Sequence, residues 1–276
     1  MHLSTGAHEL AMVRRVVGLS EVRVPLGRGG GRRRPTARLA MPRCQDRLLD
    51  LYIEEEAAMA HRTPYYGVIW PSALGLARSV SRVVQPGDAV LELGSGLGLG
   101  GIAAALMASP STVLCADHDP AAARLCRLNG RLSGVGSVVR SAALDWTATL
   151  DTWPAHAFDC AIAADIIYEE EAVPPIAAVL KHVLRPGARF LLADGEKRRH
   201  RASLALALES HGAFVRRHEG QLRVDPGIVV NVGAEGGGAD ISLVRDREGF
   251  ATPPQGAQAQ QPSNVVLTQW ERLADS

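Results

Sequence analysis

The chain has 276 residues, which is enough for one large domain or two small ones. It is 46% hydrophobic and 21% charged, the ordinary composition of a globular protein with a sizeable core. The formal net charge is +1, so no global electric field attracts the chain to nucleic acid or to an anionic membrane surface. No apolar run approaches the ~18–20 residues of a membrane span, and we expect neither nucleic acid nor a membrane as partner.

The first part of the chain is strongly basic. Residues 1–47 contain ten arginines against three acidic residues. Because such a segment buries too little apolar surface to fold alone, we predict that residues 1–45 are a disordered basic extension. Two other interpretations remain open. The segment is Arg-rich and acid-poor like an organellar transit peptide, although serine is sparse, and its charge also suits nucleic acid.

Cysteine and histidine are scattered along the chain without the spacing of metal ligands, so we expect no metal site. Cys115 and Cys160 lie within apolar runs, where a small buried thiol is the ordinary interpretation. A sparse cysteine pattern suits a reducing compartment. We therefore expect a cytoplasmic protein, or an organellar one if the basic N-terminus is a transit peptide.

Two helices are predicted before the first strand of the main domain. Apolar and acidic residues alternate at helical spacing from Gln45 to Ala60. Trp70 precedes a second helix, Ala73 to Val84, and Pro71 is tolerated in the first turn of that helix. Trp70 is therefore interpreted either as a core aromatic or as a wall of a site at the following strand.

A strand, a glycine-rich turn and a helix form the central motif of the sequence. Ala89 to Leu93 is predicted as a buried strand, and the Ala-rich helix Ile102 to Ala108 follows the turn. Glycines let a backbone approach a ligand closely, and a helix N-terminus offers free N–H groups. The motif therefore predicts a nucleotide cradle.

The glycine turn is compatible with two alternative nucleotide ligands. Gly96, Gly98 and Gly101 match the G-x-G-x-x-G spacing of dinucleotide sites, but the first glycine does not close the strand directly. Instead, Glu92 stands two residues before Gly94. A carboxylate there repels a pyrophosphate, whereas S-adenosylmethionine carries an ammonium, a sulfonium and no phosphate. We favour S-adenosylmethionine over NAD, and both over a purely structural turn.

Acidic residues follow the next strands. A second strand, Thr112 to Ala116, ends at Asp117, where a doubly wound nucleotide domain places the carboxylate that binds ribose. Asp119 is better placed to cap the next helix, which leaves Asp117 free. The small apolar run Phe158 to Ala164 is predicted as a strand buried on both faces, and it ends at Asp165.

The remaining predicted elements complete an alternating pattern. They are a helix to Leu132, a strand Val138–Ala143, a helix Pro174–Leu184, a strand Ala188–Ala193, a helix Lys197–His211, and the strands Ala213–His218 and Ile241–Arg245. This alternation predicts an α/β, Rossmann-like sheet over residues 46–250, mostly parallel, with helices on both faces. The last two strands are predicted to form an antiparallel edge hairpin. The Pro- and Gln-rich residues 251–276 are predicted as a tail, in which 264–273 form a strand or helix of unassigned place.

Four sequence blocks resemble, in the same order, those of the seven-strand protein methyltransferases called family 16. The blocks are Tyr66 to Ala73, Leu91 to Gly98 with the acidic E-x-G-x-G-x-G of motif I, Leu144 to Trp146, and Ala164 to Glu169. The resemblance covers roughly residues 52–245. It implies a seven-strand Rossmann-like fold and S-adenosylmethionine-dependent methyl transfer to a protein lysine.

The resemblance also implies a set of cofactor-binding residues. They are Trp70, Glu92, Gly94, Ser95, Gly96, Gly98, Asp117, His118, Asp145, Trp146 and Ala164. Within this set, Glu92 is expected near the methionine end of the cofactor and Asp117 at the ribose. Asp145 and Trp146 are expected to flank the adenine.

Asp165 and Tyr168 are the catalytic residues that the resemblance implies. Methyl transfer from a sulfonium is an in-line displacement that needs a neutral, oriented nucleophile, and a lysine has a pKa of about 10.4 in water. Asp165 is expected to hold the incoming ammonium, and Tyr168 to wall or hydrogen-bond its channel. A helix cap is the other interpretation of Asp165, but the next predicted helix begins only near Ala172.

Other functions remain open on the same fold. A small-molecule methyltransferase, or a protein arginine or histidine methyltransferase, uses the same cofactor. A non-catalytic cofactor-binding module is a further alternative, although such a module need not keep Asp165 and Tyr168. The block from Asp165 to Tyr168 lacks the two prolines usual in nucleic-acid amine methyltransferases, which disfavours a nucleic-acid substrate. We expect a protein substrate and a monomer.

Overall fold

The computed structural model of the chain describes residues 5–27, 35–55, 62–224, 230–232 and 263–274. The described α-helices are α1 (Thr5–Val16), α2 (Gln45–Glu54), α3 (Pro71–Ala77), α4 (Leu99–Met107), α5 (Pro120–Leu132), α6 (Val173–Val183) and α7 (Arg201–Glu209). The described strands are β1 (Leu19–Pro25), β2 (Thr36–Pro42), β3 (Ala89–Leu93), β4 (Thr112–Asp117), β5 (Val139–Ala143), β6 (Phe158–Ala164), β7 (Leu184–Gly195), β8 (Phe214–Val224), β9 (Val230–Val232) and β10 (Ser263–Arg272). Each helix and strand predicted between residues 45 and 218 is present, although several ends differ.

Seven strands form the main sheet in the order β5-β4-β3-β6-β7-β10-β8. The strands from β5 to β7 are parallel to one another, whereas β10 is antiparallel to both β7 and β8. The predicted α/β, mostly parallel seven-strand sheet is therefore confirmed, and β8 is an antiparallel edge strand as expected. The predicted partner of β8, Ile241–Arg245, lies outside the described residues, and β10 pairs with β8 instead.

Helices cover both faces of this sheet. On one face, α3, α4 and α5 contribute Leu76, Ile102 and Leu125 to an apolar core in which all three are fully buried. On the other face, α6 and α7 contribute the fully buried Ile176 and Leu204 to a second core. Because the parallel strands are covered on both sides, their residues are apolar on both sides. No described helix is long and apolar enough to cross a lipid bilayer.

Residues 263–272 are an interior strand of the sheet and not part of a tail. β10 pairs with a strand on each side, and its Val265 and Trp270 are fully buried. The Trp270 ring stacks on Phe190 of β7 with 5.5 Å between the ring centroids. The predicted tail over residues 251–276 was therefore wrong for this part, because the Pro- and Gln-rich composition of 251–262 does not extend into the apolar strand. Of the strand and the helix left open for 264–273, the strand is present, and its place is between β7 and β8. Residues 251–262 themselves lie outside the described part of the chain.

The N-terminal residues also fold against the main domain. β1 and β2 pair antiparallel over their whole length, and β9 adds a third strand to this small sheet. α1 packs against α5, and Val22, Val24 and Leu39 are fully buried. The prediction of a disordered extension over residues 1–45 was therefore wrong for the described part of that range. This part of the chain folds because Val22 and Val24 alternate with polar residues, which gives the hairpin one apolar face. The most basic stretch, 28–34, lies outside the described residues.

Candidate active site

A cleft of about 790 Å³ opens at the carboxyl ends of β3, β4 and β6. The order of the parallel strands reverses here, which is where open α/β sheets bind their ligands. Eleven of the thirteen predicted site residues line the cleft: Trp70, Glu92, Gly94, Ser95, Gly96, Asp117, His118, Trp146, Ala164, Asp165 and Tyr168. Gly98 and Asp145 are not among the lining residues.

The turn between β3 and α4 accepts only glycine at two positions. Gly94 has a φ of +61°, and a Cβ on it would lie 2.6 Å from the Cγ2 atom of Ile166. Gly98 has a φ of +79°, and a Cβ there would lie 2.3 Å from the Sγ atom of Cys126. Such contacts are too short for any side chain. Gly98 therefore lets the turn pack against α5.

Glu92 is a buried carboxylate whose oxygens are bound to the N-terminus of α4. The backbone N–H groups of Gly100 and Gly101 donate to its two oxygens at 3.1 and 2.9 Å. The Cys115 thiol donates to the same group at 3.3 Å. Burial raises the pKa of Glu92 to about 7. The N–H groups that would bind a pyrophosphate in a dinucleotide site are thus occupied by Glu92.

Asp117 ends β4 with its carboxylate at the cleft. The backbone N–H groups of Gly96 and Asp119 donate to its two oxygens at 2.8 and 3.0 Å. Burial raises the pKa of Asp117. Asp119 caps α5 by accepting hydrogen bonds from Ala121 and Ala122, as predicted, and so Asp117 is not needed as a cap.

Two rings stand beside Asp117 at the rim of the cleft. The rings of His118 and Trp146 lie at a tilt with 6.4 Å between their centroids. Asp145 is exposed to solvent, and its Oδ1 atom accepts hydrogen bonds from the N–H and hydroxyl of Thr147, both at 2.8 Å. Asp145 therefore holds a turn at the rim, which explains why it does not line the cleft.

An aromatic cluster forms the opposite wall. Trp70 donates its indole N–H to the carbonyl of Tyr65 at 3.0 Å, and the ring of Tyr65 meets that of Tyr168 edge-on at 5.3 Å. Tyr66 also lines the cleft, and its hydroxyl lies 3.2 Å from that of Tyr52. Tyr65 and Tyr66 were not predicted as site residues. The signal for them was the aromatic block that contains Trp70, of which only Trp70 was selected.

Asp165 follows β6 in an unusual backbone conformation. Its φ is +58°, in the left-handed region that few residues other than glycine, asparagine and aspartate adopt. Its N–H donates to the carbonyl of Ala193 on the neighbouring strand β7 at 2.9 Å. Its carboxylate forms an ion pair with Arg198, which lies after β7 and which sequence reasoning missed.

A second carboxyl group lies under this ion pair. Asp194 is fully buried, and neither of its oxygens has a hydrogen-bond partner among the described residues. Burial, and then the nearby charge of Asp165, raise the pKa of Asp194 to about 7. Tyr168 is 38% exposed at the mouth of the cleft. Partial burial raises the pKa of its hydroxyl to about 12, so the hydroxyl stays protonated at neutral pH.

The chain is similar to several known methyltransferases. A family model described as lysine methyltransferase matches residues 50–208. The protein N-lysine methyltransferase METTL21A of Danio rerio is 33% identical over 120 residues, which are 42% of this chain and 54% of that protein. The electron transfer flavoprotein beta subunit lysine methyltransferase of Mus musculus is 29% identical over 160 residues, which are 57% and 58% of the two chains.

A ribosomal protein L11 methyltransferase of Bradyrhizobium diazoefficiens is 33% identical over 168 residues, which are 61% of this chain and 55% of that protein. The chain thus spans little more than half the length of these curated relatives. One similar solved structure has a TM-score of 0.53 and 16% identity. It is described as "Conversion of a Disulfide Bond into a Thioacetal Group during Echinomycin Biosynthesis". It covers 84% of this chain and 94% of its own, and the likeness is one of fold.

Proposed function

We propose that this chain, which belongs to the lysine methyltransferase family, transfers a methyl group from S-adenosylmethionine to the side-chain nitrogen of a lysine in a protein. One observation carries the proposal. The glycine turn, Asp117 and the pair Asp165 and Tyr168 all border a single cleft at the strand ends. A cofactor bound across the turn would therefore end beside the residues proposed to receive the lysine.

The residues of the cleft fit S-adenosylmethionine better than a dinucleotide. Glu92 already occupies the N–H groups of Gly100 and Gly101 at the start of α4, so these two donors are not available to a pyrophosphate. The hydroxyl of Ser95 is buried in the cleft without a partner among the described residues, which leaves a polar group for a ligand to satisfy. Gly94 brings backbone to the cleft where a side chain would clash.

Particular residues are proposed to hold the parts of the cofactor. Asp117 would accept hydrogen bonds from the ribose hydroxyls, because its oxygens lie at the cleft and each accepts only one bond from the backbone. The rings of His118 and Trp146 would contact the purine. Trp70 and the turn at Gly94 would enclose the amino-acid end.

At the other end of the cleft, Asp165 and Tyr168 are proposed to receive the lysine. When bound, S-adenosylmethionine supplies an electrophilic methyl group. Asp165 would attract the lysine ammonium, and the lysine would compete with Arg198 for its carboxylate. The rings of Tyr65 and Tyr168 would exclude water and aim the nitrogen once it has lost its proton. We also propose a cytoplasmic location, which the free state of all four cysteines supports.

Replacing Asp117 by Ala is expected to weaken binding of S-adenosylhomocysteine by about 10-fold to 100-fold, since hydrogen bonds to a charged group contribute roughly 1.5–3 kcal/mol. Isothermal titration calorimetry measures this, with thermal melting to check that the variant folds. The matched control is Asp151→Ala, which removes an exposed carboxylate outside the cleft. Unchanged affinity in a folded Asp117→Ala variant would reject the ribose role.

The test of the proposed function is transfer of labelled methyl from S-adenosylmethionine to a cell extract. Purified protein and its Asp165→Asn variant are compared, and labelled bands are hydrolysed to amino acids. Label recovered as Nε-methyl-lysine, present only with the unsubstituted protein, is the expected result. Label in methyl-arginine, methyl-histidine or small molecules would contradict the lysine assignment. Cofactor binding without transfer to any component would point to a non-catalytic binding module.

A further inference from the structure

A run of basic residues, Lys197–Arg201, borders the acceptor end of the cleft. It follows β7 after one residue, Glu196, and we call it the basic lip. Its first four residues line a second cleft of about 670 Å³ together with Tyr168. Arg198 of the lip forms the ion pair with Asp165. The basic lip and the proposed lysine-binding residues are therefore neighbours at one mouth.

The charges of the basic lip are mostly not neutralised by the protein itself. Lys197 and Arg199 are exposed, and no acidic side chain of the described residues forms an ion pair with either of them. Some arginines elsewhere on the surface are paired, as in Arg38 with Glu21, Arg185 with Asp159 and Arg217 with Glu271. Glu196, the acid next to the lip, instead accepts a hydrogen bond from Asn264. The lip is thus a local positive patch on a chain whose net charge is only +1.

The segment that follows Tyr168 carries the opposite charge. Glu169, Glu170 and Glu171 follow Tyr168 and are all exposed, and none forms an ion pair within the described residues. A nucleic-acid strand would bring phosphates to both sides of Tyr168, so it would be attracted by the lip and repelled by these glutamates. A polypeptide can place acidic residues on one side of a lysine only. The arrangement therefore favours a protein partner over a nucleic acid.

We propose that the basic lip binds an acidic segment of the substrate protein beside the lysine that is methylated. This inference rests on the proposed function, because it names the substrate that the same cleft receives. Arg198 contacts Asp165, so the neighbouring Lys197 and Arg199 lie close to the lysine position. An extended chain advances about 3.3 Å per residue, which places the acidic residues within about four positions of the lysine. Carboxylates of the substrate would also draw Arg198 away from Asp165 as the lysine enters.

The test measures the binding of three fluorescent 15-residue peptides to the full chain saturated with S-adenosylhomocysteine. Each peptide has one central lysine, flanked on one side by acidic, neutral or basic residues. By fluorescence anisotropy at low salt, the acidic peptide is expected to bind about fivefold to tenfold tighter than the neutral one, as two or three surface ion pairs allow. The preference is expected to fall with rising salt concentration.

Charge-reversal variants test whether the basic lip causes the preference for the acidic peptide. The double variant Lys197→Glu/Arg199→Glu is expected to reduce the preference for the acidic peptide to less than about twofold. The control Arg131→Glu/Arg140→Glu makes the same change in net charge at exposed positions of α5 and β5, and it is expected to keep the preference. Thermal melting shows whether both variants fold. Equal loss in the two variants would mean that net charge, and not the lip, attracts the peptide, and the proposal would be rejected.

Three further outcomes would overturn the proposal. They are the absence of any preference among the peptides, a failure of all three to bind, and tighter binding of a 15-nucleotide RNA than of the acidic peptide. The extract experiment separates this inference from the proposed function. If methyl is transferred to protein lysine but no peptide is preferred, the binding role of the lip would be rejected and the proposed function would still hold. If the peptide preference depends on the lip but no methyl group is transferred, the acidic binding partner would be supported and the proposed methyltransferase activity would be rejected.

Discussion

Replacing Asp165 by Asn is expected to lower the rate of methyl transfer by at least about 100-fold, with the affinity for S-adenosylhomocysteine changed by less than about threefold. The variant removes the negative charge proposed to attract the lysine ammonium, and such a charge in a partly closed site contributes several kcal/mol. Asparagine tolerates the φ of +58° at this position, so the backbone and the hydrogen bond to Ala193 are retained. Alanine would add strain and is the poorer choice.

The structure offers a close control for this variant. Asp159 lies at the other end of β6 and also forms an ion pair with an arginine, Arg185. Asp159→Asn is therefore expected to leave the transfer rate within about twofold, since surface pairs contribute little. The measurement is the initial rate of label transfer to protein, with calorimetry for the cofactor. If Asp165→Asn transfers methyl at the rate of Asp159→Asn, Asp165 is not the residue that receives the lysine.

Replacing Trp270 by Ala is expected to lower the free energy of unfolding by about 3–5 kcal/mol, the usual cost of removing a fully buried aromatic side chain. Trp270 is 0% exposed, stacks on Phe190, and donates its indole N–H to Glu209 of α7 at 3.1 Å. The truncation leaves a cavity between β10 and α7 and removes one of the hydrogen bonds that Glu209 accepts, while its ion pair with Arg216 remains. Urea denaturation followed by circular dichroism measures the change, and the melting temperature is expected to fall by about 10 °C.

The matched control is three residues further along the chain. Leu273 is 37% exposed, and its replacement by Ala is expected to change the free energy of unfolding by less than about 0.5 kcal/mol. A Trp270→Ala variant as stable as the Leu273→Ala variant would mean that β10 does not lie inside the sheet. The comparison therefore tests the largest difference between the predicted and observed folds.

The sequence by itself determined the elements whose signals are local. The strand Phe158–Ala164 has the bounds that its apolar run predicts, and Asp119 caps α5 as its position before Pro120 predicts. The glycine turn after β3 and the acid at the end of β4 were likewise found, because a turn, a cap and a buried strand each depend on residues close together in the chain. These elements also placed most of the site, since parallel strands bring their carboxyl ends to one edge of the sheet.

Only the tertiary structure decided how distant segments meet. Arg198 reaches Asp165 across 33 positions, and β10 enters the sheet between β7 and β8 after a stretch with the composition of a linker. Glu92 lines the cleft, and its place at the methionine end of the cofactor stays a prediction; only the folded chain shows that its oxygens also bind the start of α4. Local periodicity and composition carry no information about which strand lies beside which, or which cation reaches a given carboxylate. Those choices follow from the burial of apolar faces and the pairing of buried charges over the whole folded chain.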